Sequence, residues 1–393
     1  MNRPHRLLLV TQEYSAVSAG GAGEYAYELA GALAAGGIEV HLLAPGSASR
    51  REVAGPNLIL HWRRVINWPL LRVPSFHWQV WRSTRRLIRQ ERIDTIHSNN
   101  NAGLMAAGRP LHATVHHPIA AERPFVAWRQ RLVNLPDQLF ERLIIRRAVS
   151  LSVPSHLVAD LLASRYPRHA AKVRVSLNGV NQALFRPGDS QARARLVQRY
   201  GFASDAVIAL VPGGARARRK GALDLLAALQ LVPAGKPYHL IVTGQVREAG
   251  WGDELQAQLA ASGLATQIRL PGEINYDDLP GHFQGADLVV FPSQFEGFGI
   301  PILEAQASGR ALLATATGEA PYLVNESTGI LVAPGDIASL AAGFTRLLGD
   351  AGLRSRLGRA AHQAASQYSW HHTAHRLVQA HQITAPPQAN HDA

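Results

Sequence analysis

Short apolar runs alternate with stretches of helical periodicity from residue 6 to about residue 375. Leu7 to Val10 reads as a buried strand; the glycines at 20, 21 and 23 break the chain, and 24–35 repeats apolar residues at helical spacing, with Leu29 and Leu33 on one face. Gly36 and Gly37 stop that helix and 38–43 supplies a second strand, making a β-α-β unit of the kind that builds parallel sheets. Further strands are expected at 58–60, 95–97, 114–116, 151–153 and 173–175. The stretch 178–188 holds turn residues and Pro187, which marks it as the linker between two domains.

The second half repeats the pattern. Strands are expected at 207–211, 239–242, 268–270, 288–291, 311–314 and 330–332, with helices between them at positions such as 222–230 and 301–307. Residues 339–368 read as one helical stretch. The expected fold is α/β, with two Rossmann-like doubly wound domains, 1–180 and 181–368. The final segment, TAPPQANHDA, lacks apolar periodicity, and 385–393 is expected to be a disordered tail.

With 393 residues and 47% hydrophobic content, the chain can bury two substantial cores. No apolar run approaches the ~20 residues of a membrane span. The first residues pass from a short strand to polar ones without a signal-peptide core, so a cytoplasmic location is expected. The absence of cysteine excludes disulfides and thiolate chemistry.

The net charge of +12 is confined to one half. Residues 1–180 hold 23 Lys and Arg against 11 Asp and Glu, which leaves 17 of each in the remainder. Within the basic half, residues 61–92 carry eight arginines, four of the seven tryptophans and one acid, Glu91. Arginine mixed with tryptophan suits an anionic membrane surface, where indoles sit at headgroup level and guanidinium groups pair with phosphate. A solvated basic face is the plainer explanation. Nucleic acid, which would use the same residue types, is disfavoured because no nucleic-acid module accompanies them.

The most specific motif is FPSQFEGFGIPILE, beginning at Phe291. It places Glu296 and Glu304 around a glycine turn that follows a buried strand and opens a helix at Pro301. The amides of Phe298, Gly299 and Ile300 would then lie at the positive end of a helix dipole, a ready site for phosphate and sugar oxygens. A strand-turn-helix with surface glutamates is the bland alternative.

This motif and its continuation to Asp336 resemble the nucleotide-sugar site of the retaining glycosyltransferases of family 4, which adopt the two-domain GT-B fold. Co-linear pieces extend the resemblance over residues 6–375: the glycine loop ending at Gly21, TVHHP around His116, VPS at Ser155, NGVN at 178–181, Lys220-Gly221, and VTG ending at Gly244. A last helix at 369–384 crossing back to the first domain is implied by the same resemblance.

The resemblance implies a cleft between the domains, with the donor held mainly by the second. Glu304 would bind the ribose hydroxyls, and Glu296 with the amides of Phe298, Gly299 and Ile300 the transferring sugar. Backbone near Ile274 would read the base. Lys220 would stabilise charge growing on the departing diphosphate. The position that usually holds an arginine is Gly214 or Ala215 here, so Arg216, Arg218 or Arg219 substitutes or the second cation is missing; Arg216 is the choice. Gly21 would let backbone approach the diphosphate. His116 would orient the donor, and because adjacent histidines alternate sides of an extended chain, His117 should point elsewhere.

The chemistry implied is transfer of a sugar from a nucleotide-diphosphate sugar, UDP ahead of GDP, with retained configuration, no metal and no cofactor. The acceptor expected is a cell-envelope glycan or lipid-linked precursor in polysaccharide biosynthesis, met at the inner membrane face by a peripheral protein. Other readings are a nucleotide-sugar epimerase or phosphorylase on the same fold, or a non-catalytic protein that binds anionic membrane or nucleic acid.

Overall fold

A computed structural model describes residues 3–14, 21–66, 68, 72–126, 131, 135–189, 191–246, 248 and 250–382. The tail expected at 385–393 lies outside them. The chain divides into two compact units, one comprising Met1–Gly179 with the segment from Trp370, the other Val180–Ser369.

The first unit is built on eight strands: β1 (Arg6–Val10), β2 (Glu39–Gly46), β3 (Arg50–Gly55), β4 (Leu58–Arg64), β5 (Thr95–Asn99), β6 (Leu111–Thr114), β7 (Leu151–Val153) and β8 (Val173–Val175). They lie in the order β3-β4-β2-β1-β5-β6-β7-β8. All neighbours are parallel except the β3–β4 pair. The order reverses between β1 and β5, where an open sheet presents ligand-binding loops at its carboxyl ends. β3 was not anticipated, because each of its residues from Arg50 to Ala54 is exposed and such an edge carries no apolar alternation. β6 ends at Thr114, short of the expected 114–116, because the buried His112 belongs to the strand and gives it a polar residue that hides its start.

The basic stretch 61–92 forms the end of β4 and the helix Arg72–Gln90. Phe76, Val80 and Leu87 of this helix are buried in the core of the unit, so the segment is amphipathic. The helix Trp370–Ala380 also belongs here. Thr373 Oγ1 donates to the Leu177 carbonyl at 2.8 Å, and the Trp370 ring meets Tyr25 edge-on at 5.9 Å.

The second unit has six parallel strands: β9 (Val207–Val211), β10 (Tyr238–Thr243), β11 (Ile268–Gly272), β12 (Leu288–Phe291), β13 (Ala311–Thr315) and β14 (Ile330–Val332). Their order is β11-β10-β9-β12-β13-β14, the doubly wound Rossmann arrangement with its reversal between β9 and β12. β9, β12 and β13 are buried throughout and read as uninterrupted apolar runs, as strands covered by helices on both faces should. The helical stretch expected at 339–368 consists of two helices, Ile337–Gly349 and Ala351–Ala365. Asp350 separates them: its backbone is extended and its carboxylate accepts the Leu353 amide at 2.7 Å, so it caps the second helix.

Candidate active site

The carboxyl ends of β9 and β12 flank the reversal in the second sheet, and the residues that follow them are laced together. After β9 the chain turns through Gly213 and Gly214 into a short 3-10 turn, Arg218–Lys220, and then the helix Ala222–Gln230. Gly221 joins the two with φ +74°, and a Cβ there would lie 1.9 Å from the Pro292 carbonyl oxygen. Only glycine fits such an approach. The Gln294 amide donates to the Arg219 carbonyl at 2.8 Å, and Arg219 Nη1 donates to the Phe295 carbonyl at 3.0 Å.

Glu296 is the centre of this arrangement and is 7% exposed. Its Oε1 accepts from Lys220 Nζ at 2.5 Å and from Ser293 Oγ at 2.8 Å, while Oε2 lies 3.4 Å from Arg219 Nη1. Its amide donates to Thr317 Oγ1 at 3.1 Å. Burial opposes ionisation of Glu296, but Lys220 and Arg219 outweigh it and hold the carboxyl below its usual range. Lys220 is lowered from the usual lysine value, chiefly by burial and further by Arg219 and Arg216, with Glu296 acting against the shift.

Gly299 caps the helix Ile300–Ala307 with φ 101°. The helix therefore begins one residue before Pro301, and its opening amides lack intrahelical acceptors. Phe298 and Ile300 are both buried. The segment after β13 braces the turn: the Glu319 amide donates to the Phe298 carbonyl at 2.9 Å, and Gly318, at φ +60°, would place a Cβ 2.4 Å from that same oxygen. Glu304, in the second turn of the helix, is 2% exposed. A carboxylate buried to that degree is not a solvated helix residue.

Lys220 and Glu296 are thus brought together, whereas Arg216 pairs with a different carboxylate. Its Nη2 donates to Glu273 Oε1 at 2.8 Å, and Glu273 Oε2 accepts the Gln245 amide at 2.8 Å. Ile274, next to Glu273, is buried. Arg218 pairs with Glu248 and Glu254. The cation beside Lys220 at Glu296 is Arg219, which sequence reasoning ranked below Arg216. Ser293 and Thr317 were also missed, although the Ser293–Glu296 spacing of three in a turn was a readable signal. Ser155 of the VPS piece has a local task, capping the helix His156–Arg165 by accepting the Val158 amide at 3.1 Å.

In the first unit, the carboxyl ends of β1, β5 and β6 gather a second polar group. His116 Nε2 lies 2.6 Å from Asn99 Oδ1, and Asn99 Nδ2 donates to Thr11 Oγ1 at 3.0 Å and to the Ala22 carbonyl at 2.8 Å. The Tyr25 ring meets His116 edge-on at 4.6 Å. Burial, with the neighbouring His117, lowers the His116 imidazolium to about 3, so the ring is neutral near pH 7. His117 instead faces Glu122, with Nε2 3.0 Å from its Oε1. Gly21 is exposed and opens the helix Gly21–Ala35. Among the described residues no helix is long and apolar enough to cross a membrane.

This doubly wound pair of units matches solved glycosyltransferase folds. Sucrose-phosphate synthase from Thermosynechococcus elongatus superposes with a TM-score of 0.82 at 23% identity, covering 96% of this chain and 98% of that one. Anabaena HepE in complex with UDP-glucose superposes with a TM-score of 0.75 at 21% identity, covering 96% and 100%. The family description "Glycosyl transferases group 1" matches residues 178–364, and "Glycosyltransferase Family 4" matches residues 19–184. A D-inositol 3-phosphate glycosyltransferase from Salinispora arenicola is 31% identical over 389 residues, covering 92% of this chain and 86% of its own. Its counterpart from Streptomyces avermitilis is 29% identical over 406 residues, covering 94% and 86%. The chain belongs to the family 4, group 1 glycosyltransferases of GT-B fold, and it is a hexosyltransferase-type enzyme.

Proposed function

We propose that the chain transfers a sugar from a nucleotide-diphosphate donor to an anionic or membrane-borne acceptor, with retention and without a metal. The observation that carries this is the buried Lys220–Glu296–Arg219 cluster beside the start of the helix Ile300–Ala307. A departing diphosphate needs preorganised positive charge, and Lys220 with the helix amides supplies it. Arg219 and Arg216 are the proposed second cations. Glu296 and the backbone of Phe298, Gly299 and Ile300 hold the sugar, Glu304 the ribose hydroxyls, and backbone at Ile274 the base. Gly21 and the neutral His116 are proposed ligand contacts of the first unit. The acceptor oxygen would bond to the anomeric carbon on the face the diphosphate leaves, its proton passing to the departing phosphate oxygen.

A uridine donor is favoured over guanosine by the likeness to HepE, which binds UDP-glucose. A lipid-linked or envelope acceptor is favoured by the helix Arg72–Gln90, where Trp78 and Trp81 are each 50% exposed and Arg82 lies over the Trp78 ring at 5.4 Å. That surface would hold the protein at an anionic membrane from the cytoplasmic side. The relatives' name favours a second acceptor, a phosphorylated cyclitol, which the basic first unit would also suit.

Thermal-shift and hydrolysis screens against UDP, GDP, ADP and their sugars, with Glu304→Ala alongside, test the donor. Stabilisation by one nucleotide that is lost in the variant supports the reading. Absence of any response defeats it. Product analysis with and without inositol phosphate or an undecaprenyl-type lipid phosphate then separates the acceptors, and sugar release as an epimer or as a sugar phosphate would replace transfer.

A further inference from the structure

Away from the donor site, on the sheet of the first unit, lies a group that the transfer chemistry does not use. His41 on β2 and His61 on β4 are both buried. The parallel register sets His41 opposite Ile59 and Leu43 opposite His61, so the two histidines stand diagonally on one face. Glu91 follows the helix Arg72–Gln90, its amide bonded to the Leu87 carbonyl at 2.8 Å. Among the described residues, His41, His61 and Glu91 offer ligand atoms that all lie within 4.8 Å of one another.

We propose that His41, His61 and Glu91 bind a borderline divalent cation of the Zn2+ class, which ties β2 and β4 to the end of the helix Arg72–Gln90. Three observations carry it. His41 Nδ1 and His61 Nε2 are 3.0 Å apart, and two imidazoles sharing a tetrahedral ion at ~2.1 Å would stand ~3.4 Å apart, so a few tenths of an ångström suffice. His41 Nε2 lies 2.9 Å from Glu39 Oε1, so the carboxylate accepts the Nε2 proton and leaves the Nδ1 lone pair toward His61. This carboxylate backing is the usual outer support of a metal-bound imidazole. Glu91 is half-buried, which gives the ion an open side for water.

The chemistry of the donors selects the ion. Two imidazoles and one carboxylate favour Zn2+, Co2+ or Ni2+ over Mg2+ or Ca2+. Two arginines lie at the site: Arg51 Nε is 3.5 Å from Glu91 Oε1, and Arg6 Nε is 3.1 Å from Glu39 Oε1. The Arg51 side chain is half exposed, so a cation can displace it into solvent, whereas Arg6 forms an ion pair with the outer carboxylate and helps to fix it. Without an ion, the two histidines hydrogen-bond to each other.

The test uses the full chain, stripped with chelator, and Zn2+, Co2+ and Mg2+ as probes. One Zn2+ per chain binding more tightly than about 10 µM, a rise in Tm, visible absorption bands of tetrahedral Co2+ and no response to Mg2+ are expected. Glu91→Gln and Glu39→Gln, both outside the buried histidine pair, should each weaken Zn2+ binding at least about 10-fold. Donor hydrolysis should be unchanged by them. Failure to bind Zn2+ stoichiometrically, or a Zn2+ affinity in the variants equal to that of the parent chain, overturns the proposal and leaves a hydrogen-bonded histidine pair. A failed donor screen would leave this result untouched.

Discussion

Lys220 Nζ sits 2.5 Å from Glu296 Oε1 although 76 positions separate the two residues along the chain. Strand order explains the encounter. β9 and β12 are neighbours across the reversal of the second sheet, so the loops leaving their carboxyl ends converge. The donation of the Gln294 amide to the Arg219 carbonyl then fixes one loop on the other. The ion pair orients a lysine that burial alone would leave neutral more readily.

A double-mutant cycle reads this coupling. Lys220→Ala should lower kcat by about 10²–10³-fold, the usual loss when one preorganised donor to a developing charge is removed. Glu296→Gln should also lower activity, because Lys220 loses its orienting partner. The thermal stabilities of the two single variants and the double variant should deviate from additivity by about 0.5–3 kcal/mol. Strict additivity would mean that the contact carries no energy.

Gly221→Ala isolates the loop contact from the charges. The substitution puts a methyl group into the Pro292 carbonyl at a left-handed backbone position. Strain of that kind costs about 1–3 kcal/mol before any clash is counted. A Tm lower by about 4 °C or more, together with a rise in KM for the donor, is the expected outcome. An unchanged Tm would show that the 218–221 turn moves freely past Pro292.

Much of this was legible because buried parallel strands write themselves as apolar runs. β7, β8, β9, β12 and β14 stand where those runs predict them. The helix after Gly299 was readable from its proline and glycine. What the pattern hid was exposed or polar structure: β3 has no buried residue to signal it, and His112 disguises the start of β6. In the site, Glu296 and Glu304 stand out in the sequence by their placement around a glycine turn, whereas Lys220 was singled out through the family resemblance. Arg219 was not, because three arginines within four positions differ only in the directions a turn gives them: Arg216 to Glu273, Arg218 to Glu248 and Arg219 to Glu296. Pairing the histidines of β2 and β4 needs the strand register, which no local pattern contains.

Acid should weaken the first unit before it affects the second unit's ion pair. His381 stacks on His97 at 4.9 Å and on His112 at 3.9 Å, and burial lowers His97 to about 3 and His112 to about 4. These depressed values mean that the unfolded chain binds protons first. The stability is fully present above pH 6.5 and declines as pH falls toward about 4 for His112 and about 3 for His97. The slope should approach about 1.4 kcal/mol per pH unit for each histidine. His112→Gln, retaining a polar partner for Ser150, should flatten unfolding free energy measured between those limits. A slope equal to that of the parent chain would assign the acid lability to other groups.

The helix Arg72–Gln90 offers a test that leaves the donor chemistry alone. Its inner face, with Phe76, Val80 and Leu87, is committed to the core, while Trp78 and Trp81 stand half out and Arg82 lies over the Trp78 ring. Indoles left exposed beside arginines bind an anionic interface through both headgroup pairing and partial insertion. Trp78→Ser with Trp81→Ser should therefore reduce sedimentation with phosphatidylglycerol vesicles by about 10-fold or more, with little change in Tm because neither ring is buried. Arginine contributes through screened charge, so raising salt should release the parent chain progressively. Binding to neutral phosphatidylcholine vesicles should stay weak in both proteins, and hydrolysis of the soluble donor should not change. If the double variant sediments with anionic vesicles as well as the parent does, the face is a solvated basic surface and the acceptor reaches the enzyme by another route.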